Sequence, residues 1–237
     1  IRSLYDTAPE VDLELLVYDN DSADGSADRI AEAFPASDYP SLTLVRLAEN
    51  VGFAKANNIA AKQARGRYLL LLNPDTVVLK GAVQGLLAFA HARPEARIWG
   101  ARNVLGDGRL DPGSVWRRMS LWGVFCFATG LQQAFPNSAL FNPEGYGGWD
   151  RTSERAVDIV TGCFFLVDAD LWRKLDGFDE RFFMYAEEAD FCRRAQELGA
   201  QPRFTPNSEI VHYGGASESL RARQIAKIFA GKISLAR

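Results

Sequence analysis

The chain predicts an α/β fold, with a mostly parallel central sheet flanked by helices, and three observations carry that reading. Short apolar strands alternate with helical stretches from Leu13 to Gly100, and alternation at that spacing favours parallel strands joined by right-handed crossovers. The run Tyr68-Leu69-Leu70-Leu71-Leu72 is apolar throughout, as expected of a strand buried on both faces. It ends abruptly in Asn73-Pro74-Asp75, which puts a carboxylate at the carboxyl edge of the sheet, where open α/β folds bind ligands.

The elements follow in order. Ile1 to Tyr5 resembles the end of a helix. Leu13, Leu15 and Val17 alternate as a strand that runs into the turn-forming cluster Asp19 to Ser26, and a helix follows over about Ala27 to Ala33. Leu42 to Leu47 alternates as a second strand, and after the loop Glu49 to Phe53 an Ala-rich helix covers Ala54 to Ala64, with Gly66 expected as its C-terminal cap. Beyond the apolar strand come a helix from Gly81 to Ala92 and a short strand at Ile98 to Gly100. Asn103 to Asp150 is rich in Gly, Pro and Trp with weak periodicity, and loops of that length are usually functional. Within it, Leu121 to Phe127 is expected to be a buried interior helix ahead of a membrane contact. A strand at Asp158 to Val167, a helix at Ala169 to Leu175, a helix from Ala186 to Leu198 closed by Gly199, a short strand Glu209 to His212 and an amphipathic tail helix from Ser217 to Arg237 complete the pattern.

Composition narrows the function classes. With 237 residues, 47% of them hydrophobic, the chain is large enough for one full core, and one elaborated domain over 1–237 is expected. The net charge of -3 comes from interspersed charges without a basic stripe, which argues against nucleic acid as a partner. Cys126, Cys163 and Cys192 lie in apolar or helical patterns and are expected as buried thiols of a cytoplasmic protein. The uncharged stretch Met119 to Pro143 is interrupted by Gln, Pro and Asn, so no membrane-spanning helix is expected. Neither GxGxxG nor GxxxxGK[ST], neither GxSxG nor HExxH occurs.

Polar clusters at the ends of apolar elements are the candidate site: Asp19 with Asn20, Asn50 with Gly52, Asp75, and Glu187 with Glu188. Asp75 either holds a hard divalent cation or caps a helix. His212 closes a strand; paired with Asp75 it offers the mixed oxygen and nitrogen set that suits Mn²⁺, although a lone His is more often structural. Glu188 at a helix start can act as a base toward an acceptor hydroxyl, whereas Asp190 is expected to pair with Arg194 one turn later. His91 is expected at the surface.

Five segments in this order carry a resemblance: Leu16 to Ser26, Asn50 to Asn58, Leu72 to Asp75, Gly177 to Asp190 and His212 to Ser217. Together they resemble the family 2 inverting glycosyltransferases, rhamnosyltransferase-like subgroup. The resemblance implies a GT-A (nucleotide-diphospho-sugar transferase) fold, with 1–102 as the nucleotide-sugar half, 103–216 as the acceptor half and 217–237 as a C-terminal helix. It implies a Mn or Mg cofactor, a dTDP- or UDP-linked donor, with rhamnose or a similar hexose as the sugar, and a saccharide or lipid-linked acceptor in bacterial cell-surface polysaccharide synthesis, at the inner face of the membrane with peripheral contact. By position it implies Glu188 as base, Asp75 and His212 on the metal, and Asp19, Asn20, Asn50, Gly52, Lys55, Asn57 and Asn73 around the donor. Thr161, Gly162, Glu187 and Trp149 would face the acceptor, with close backbone approach as the reason for Gly162. Two departures stand out: Glu187-Glu188 replaces the commoner Glu-Asp, and Asn73 replaces the first acid of DxD. The resemblance also implies a first strand ahead of Ile1 that this sequence does not contain. The alternative is a catalytically idle nucleotide-sugar-binding module of the same fold; a sugar-phosphate nucleotidyltransferase ranks third.

Overall fold

The computed structural model describes residues 1–214; the expected tail helix and the last part of the His212 to Ser217 segment lie outside the described residues. In chain order the elements are α1 (Arg2–Thr7), β1 (Leu15–Asp19), α2 (Ser26–Ala33), β2 (Leu42–Arg46), α3 (Phe53–Gln63), β3 (Tyr68–Leu72), β4 (Thr76–Val78), α4 (Ala82–Ala92), β5 (Ile98–Val104), β6 (Val115–Trp116), α5 (Leu121–Ala128), α6 (Leu131–Ala134), β7 (Arg155–Ala156), β8 (Ile159–Val160), β9 (Phe164–Asp168), α7 (Ala169–Lys174), α8 (Glu187–Glu197) and β10 (Arg203–His212). The main sheet has the order β3-β9-β5-β10-β4, with β7 also on β10; β1 and β2 form a separate parallel pair, and β6 pairs β8.

This sheet is mixed, not mostly parallel: β5 and β10 run parallel, while β9 lies antiparallel between β3 and β5 and β4 is antiparallel to β10. The alternation read from the sequence holds only as far as β5; the later strands are inserted between the earlier ones. β9 is an inner strand, between β3 and β5. Phe165 and Val167 enter one core with Trp172, Phe178 and Phe191, and Phe164 and Leu166 enter the other with Trp99, Leu86 and Phe89, as the two-residue period of a strand requires. Helix α4 covers one face, and α7 and α8 cover the other.

Several expectations change. β3 is an end strand paired only with β9, so of its leucines only Leu71 is buried. Asp158 to Val167 is not one strand, because Thr161-Gly162-Cys163 breaks it into β8 and β9. β10 begins at Arg203, and β5 extends to Val104, because the two strands pair with each other along their length. α3 ends at Gln63 with Ala64 extended, so Gly66 is not its cap. Helix α5 is not an interior helix: Leu121, Trp122, Val124 and Phe125 are exposed and only Gly123 and Cys126 are buried. All three cysteines are free and buried, and His91 is exposed. Among the described residues no helix is long and apolar enough to cross a membrane.

Candidate active site

The pairing of β4 with β10 sets His212 opposite Thr76, and the Tyr213 amide donates to the Asp75 carbonyl at 3.0 Å. That register brings together two side chains far apart in sequence: His212 Nε2 is 3.5 Å from Asp75 Oδ1. The other ring nitrogen is 3.5 Å from Asp111 Oδ2. The imidazole therefore lies between two carboxylates, and Asp111, Asp75 and the Cys163 thiol together push its pKa up to about 12. Asp75 is lowered in turn, chiefly by His212.

The Asp75 contact is an ion pair without hydrogen-bond geometry. Its Oδ1 is sealed from water with no donor among the described residues, an arrangement costly for an oxygen unless a positive group completes it. Among the described residues no group of three His, Cys, Asp or Glu side chains is arranged to hold a metal. Asp75 and His212 could supply two ligands to a divalent cation, leaving its remaining positions to phosphate oxygens. A cation there competes with the imidazole proton.

Helix α8 supplies the carboxylates. It starts after two non-glycine residues in the left-handed region, Tyr185 at φ 69° and Ala186 at φ 81°, a strained entry of the kind held in place at functional sites. Glu187 and Glu188 are buried. Burial and the charge of Glu188 push Glu187 up to about 9, and burial raises Glu188 against the pull of its own and the Gly162 backbone amides. Glu187 Oε2 is buried without a partner among the described residues. Asp190, by contrast, is consumed structurally: it pairs with Arg194 at 2.6 Å and with Arg193 at 2.9 Å.

The break between β8 and β9 joins the two halves of the site. The Gly162 amide acts on Glu188, the Cys163 carbonyl accepts from the Asn73 amide at 3.1 Å, and the Cys163 thiol faces His212 and accepts from Asn103 at 3.0 Å. Thr161 is anchored through its amide to Ser114. Close approach is not what Gly162 requires, since a Cβ there would meet Phe53 at an ordinary 3.5 Å. Gly52 does require it: φ is +84° and a Cβ would lie 2.7 Å from the Phe183 carbonyl oxygen.

On the donor side, Asn20 donates to Asn50 at 3.1 Å and to the Gly52 carbonyl and accepts from the Val51 amide, so these two amides shape the loop between β2 and α3. The Asn57 side chain folds back on the Phe53 carbonyl. Asp19 accepts weakly from the Ser22 amide at 3.3 Å, and Lys55 is exposed. Trp149 packs edge-on against Phe204 near the start of β10, whose other end carries His212. Three residues at the site went unread. Asp111 gives no signal beyond a loop Asp-Pro; Asn103 and Asn58 are polar residues inside apolar or helical text. Asn58 both donates to and accepts from Phe178 backbone, tying α3 to the turn before Glu187.

The family model of glycosyl transferase family 2 matches residues 1–157. The chain belongs to this family. Among family 2 relatives it is 25% identical over 218 residues to N-acetylglucosaminyl-diphospho-decaprenol L-rhamnosyltransferase of Mycobacterium tuberculosis (strain ATCC 25618 / H37Rv), a match spanning 87% of this chain and 68% of that protein. It is 34% identical over 174 residues to rhamnosyltransferase WbbL of Escherichia coli (strain K12), spanning 68% of this chain and 61% of that one. In structure it is similar to mannosyltransferase PcManGT from Pyrobaculum calidifontis, solved in complex with GDP-Man and Mn²⁺, with a TM-score of 0.63, 19% identity, and coverage of 100% of this chain and 59% of that chain. The family 2 architecture is therefore the GT-A fold.

Proposed function

We propose that the chain is an inverting glycosyltransferase that moves a sugar, rhamnose by likeness to its relatives, from a nucleoside-diphosphate donor to a saccharide on a lipid-linked diphosphate. One observation carries this: the Thr161-Gly162-Cys163 break connects the buried carboxylate pair to the Asp75–His212 half-site. Asp75 and His212 would hold the divalent cation, which when bound offsets charge on the departing diphosphate. Glu188, raised by burial, takes the proton of the acceptor hydroxyl as its oxygen bonds to the anomeric carbon; the bond from that carbon to the diphosphate breaks and the nucleoside diphosphate leaves with the electron pair. Glu187, neutral at its raised pKa, is free to donate to an acceptor oxygen. Asp19 and Lys55 have side chains available to the nucleotide, while Asn20, Asn50, Gly52 and Asn57 shape its loop and Asn73 holds the turn before Asp75. Thr161 lies at the acceptor side of Glu188.

The test is transfer and donor hydrolysis with Mn²⁺ or Mg²⁺ in wild type, Glu188→Gln and Asp75→Asn. Removing a general base costs about 10²–10⁴-fold, so Glu188→Gln should lose at least a hundredfold in kcat while still binding UDP. Turnover unaffected by Glu188→Gln, or unchanged in EDTA, overturns the assignment. No turnover with any donor favours the idle binding module.

A further inference from the structure

We infer that the chain carries a separate binding site for a phosphoryl group bearing a hydrocarbon tail, in the pocket between Arg117, Arg155, Tyr146 and Trp149. This deepens the lipid-linked acceptor reading and rests on it. The pocket has a volume of about 340 Å³ and is also lined by Ala139 and Pro143. Arg155 lies 4.7 Å above the Tyr146 ring and 5.1 Å above Trp149, and Arg117 lies 4.9 Å from Tyr146. Stacking covers guanidinium faces and leaves the N–H edges for an acceptor, the planar fork that suits phosphate. Among the described residues neither Arg117 nor Arg155 forms an ion pair.

The walls are held firmly. Tyr146 is buried at a left-handed φ of 51°, and its hydroxyl accepts from the Asp158 amide at 3.0 Å. Behind Trp149, Arg151 is 3% exposed, donates to the carbonyls of Pro112, Gly145 and Trp149, and forms no ion pair among the described residues.

An apolar ridge leaves the pocket at Ala139. Leu140 is 60% exposed; its carbonyl accepts from the Trp122 indole at 2.7 Å, and Trp122 stacks on Phe125 at 5.3 Å. Leu121 is 92% exposed, and no charged residue occurs from Met119 to Pro143. Such a patch on a water-facing surface calls for an apolar occupant. A cationic pocket beside an apolar ridge matches an amphiphile with an anionic head. The Asp158 carbonyl accepts from Gln196, eight residues beyond Glu188 on α8 or about 12 Å of helix rise, so the Tyr146 wall and the base are tied to the same helix.

The experiment titrates the protein in EDTA with farnesyl diphosphate, farnesol and inorganic pyrophosphate, reading tryptophan fluorescence and calorimetry; EDTA keeps the Asp75–His212 half-site from recruiting phosphate. Farnesyl diphosphate should bind at least tenfold more tightly than either of the others. Arg117→Ala/Arg155→Ala should remove at least tenfold of that affinity and leave farnesol unchanged, whereas Leu121→Asp/Phe125→Asp should bring farnesyl diphosphate down to the level of pyrophosphate. Arg155→Lys, which keeps the charge, should retain an intermediate affinity, and melting temperature with UDP and Mn²⁺ verifies that each variant is native. Farnesyl diphosphate binding no tighter than farnesol, or insensitive to the arginine changes, overturns the site. So does loss of binding to phosphatidylglycerol vesicles alone in the double arginine variant, which would make the patch a membrane contact. Donor turnover, tested through Glu188, can fail while this binding stands, and the reverse.

Discussion

Glu187 and Glu188 are the residues whose placement works against stability. Two adjacent carboxyls are buried at the start of α8, and Glu187 has no partner for Oε2. A carboxyl raised in the folded state stabilises the fold fully below the unfolded pKa near 4.5; the contribution declines as pH rises and is gone above about 9. Glu187→Gln should therefore raise the melting temperature at pH 8 and have little effect at pH 5. Each kcal/mol of that lost contribution is worth roughly 2–4 °C for a chain of this size; equal shifts at both pH values would show that Glu187 is not held neutral. Gly52 argues in the opposite direction. With φ +84° and the Phe183 carbonyl 2.7 Å from any Cβ, Gly52→Ala should cost about 2–3 kcal/mol in urea denaturation and weaken UDP binding, because the Phe183 segment leads into α8. The candidate residues Asp75, His212 and Glu188 were legible because each is polar text interrupting apolar text. Asp111 and Asn58 were not, since their partners become neighbours only through folding.

Element by element, legibility follows how local the deciding interaction is. Helices α2, α4, α7 and α8 match their sequence patterns within a residue or two, since capping and periodicity are short-range. The order of strands in the main sheet was not legible, because β9 and β10 insert between earlier strands and nothing in their own text names their neighbours. The exposure of α5 was unread for a related reason: an all-apolar helix looks the same whether covered by core or by a ligand. Helix α8 owes its position to Arg194, which pairs with Asp190 and donates to the carbonyls of Leu175 at 2.8 Å and Gly177 at 2.9 Å. Arg194→Ala leaves Asp190, with its side chain 5% exposed, to Arg193 alone, and frees two carbonyls. Losing one partner of a buried pair costs about 3–5 kcal/mol; with Arg193 still present, a loss of about 2–3 kcal/mol is expected in urea denaturation, along with reduced turnover because the carboxylate pair rides on the same helix. A loss below half a kcal/mol would mean that α8 is held by Phe191, Cys192 and Ala195 alone.

For the molecule as a whole, the candidate site joins two sheets that pack through Leu13 and Leu15 but share no strand pairing among the described residues. The β1–β2 pair is separate from the main sheet, and the loops after β1 and β2 meet the main-sheet side through the Phe53 amide on the Phe183 carbonyl at 2.8 Å and through Asn58 on Phe178. A nucleotide contacting Asp19 on one side and the Asp75–His212 half-site on the other adds a tie across that join. Binding that favours the folded state stabilises it by about 2.7 kcal/mol at a hundredfold excess over Kd, or roughly 5–11 °C at 2–4 °C per kcal/mol. UDP with Mn²⁺ should therefore raise the melting temperature by more than the sum of the two alone, since two protein ligands hold a bare cation weakly and a diphosphate without a cation meets Asp75 unscreened. Asp75→Asn should abolish the excess while keeping the small shift from UDP alone. A full shift with UDP in EDTA, or an Asp75→Asn variant that responds like wild type, would show that the cation half-site and the nucleotide loops do not act on one ligand.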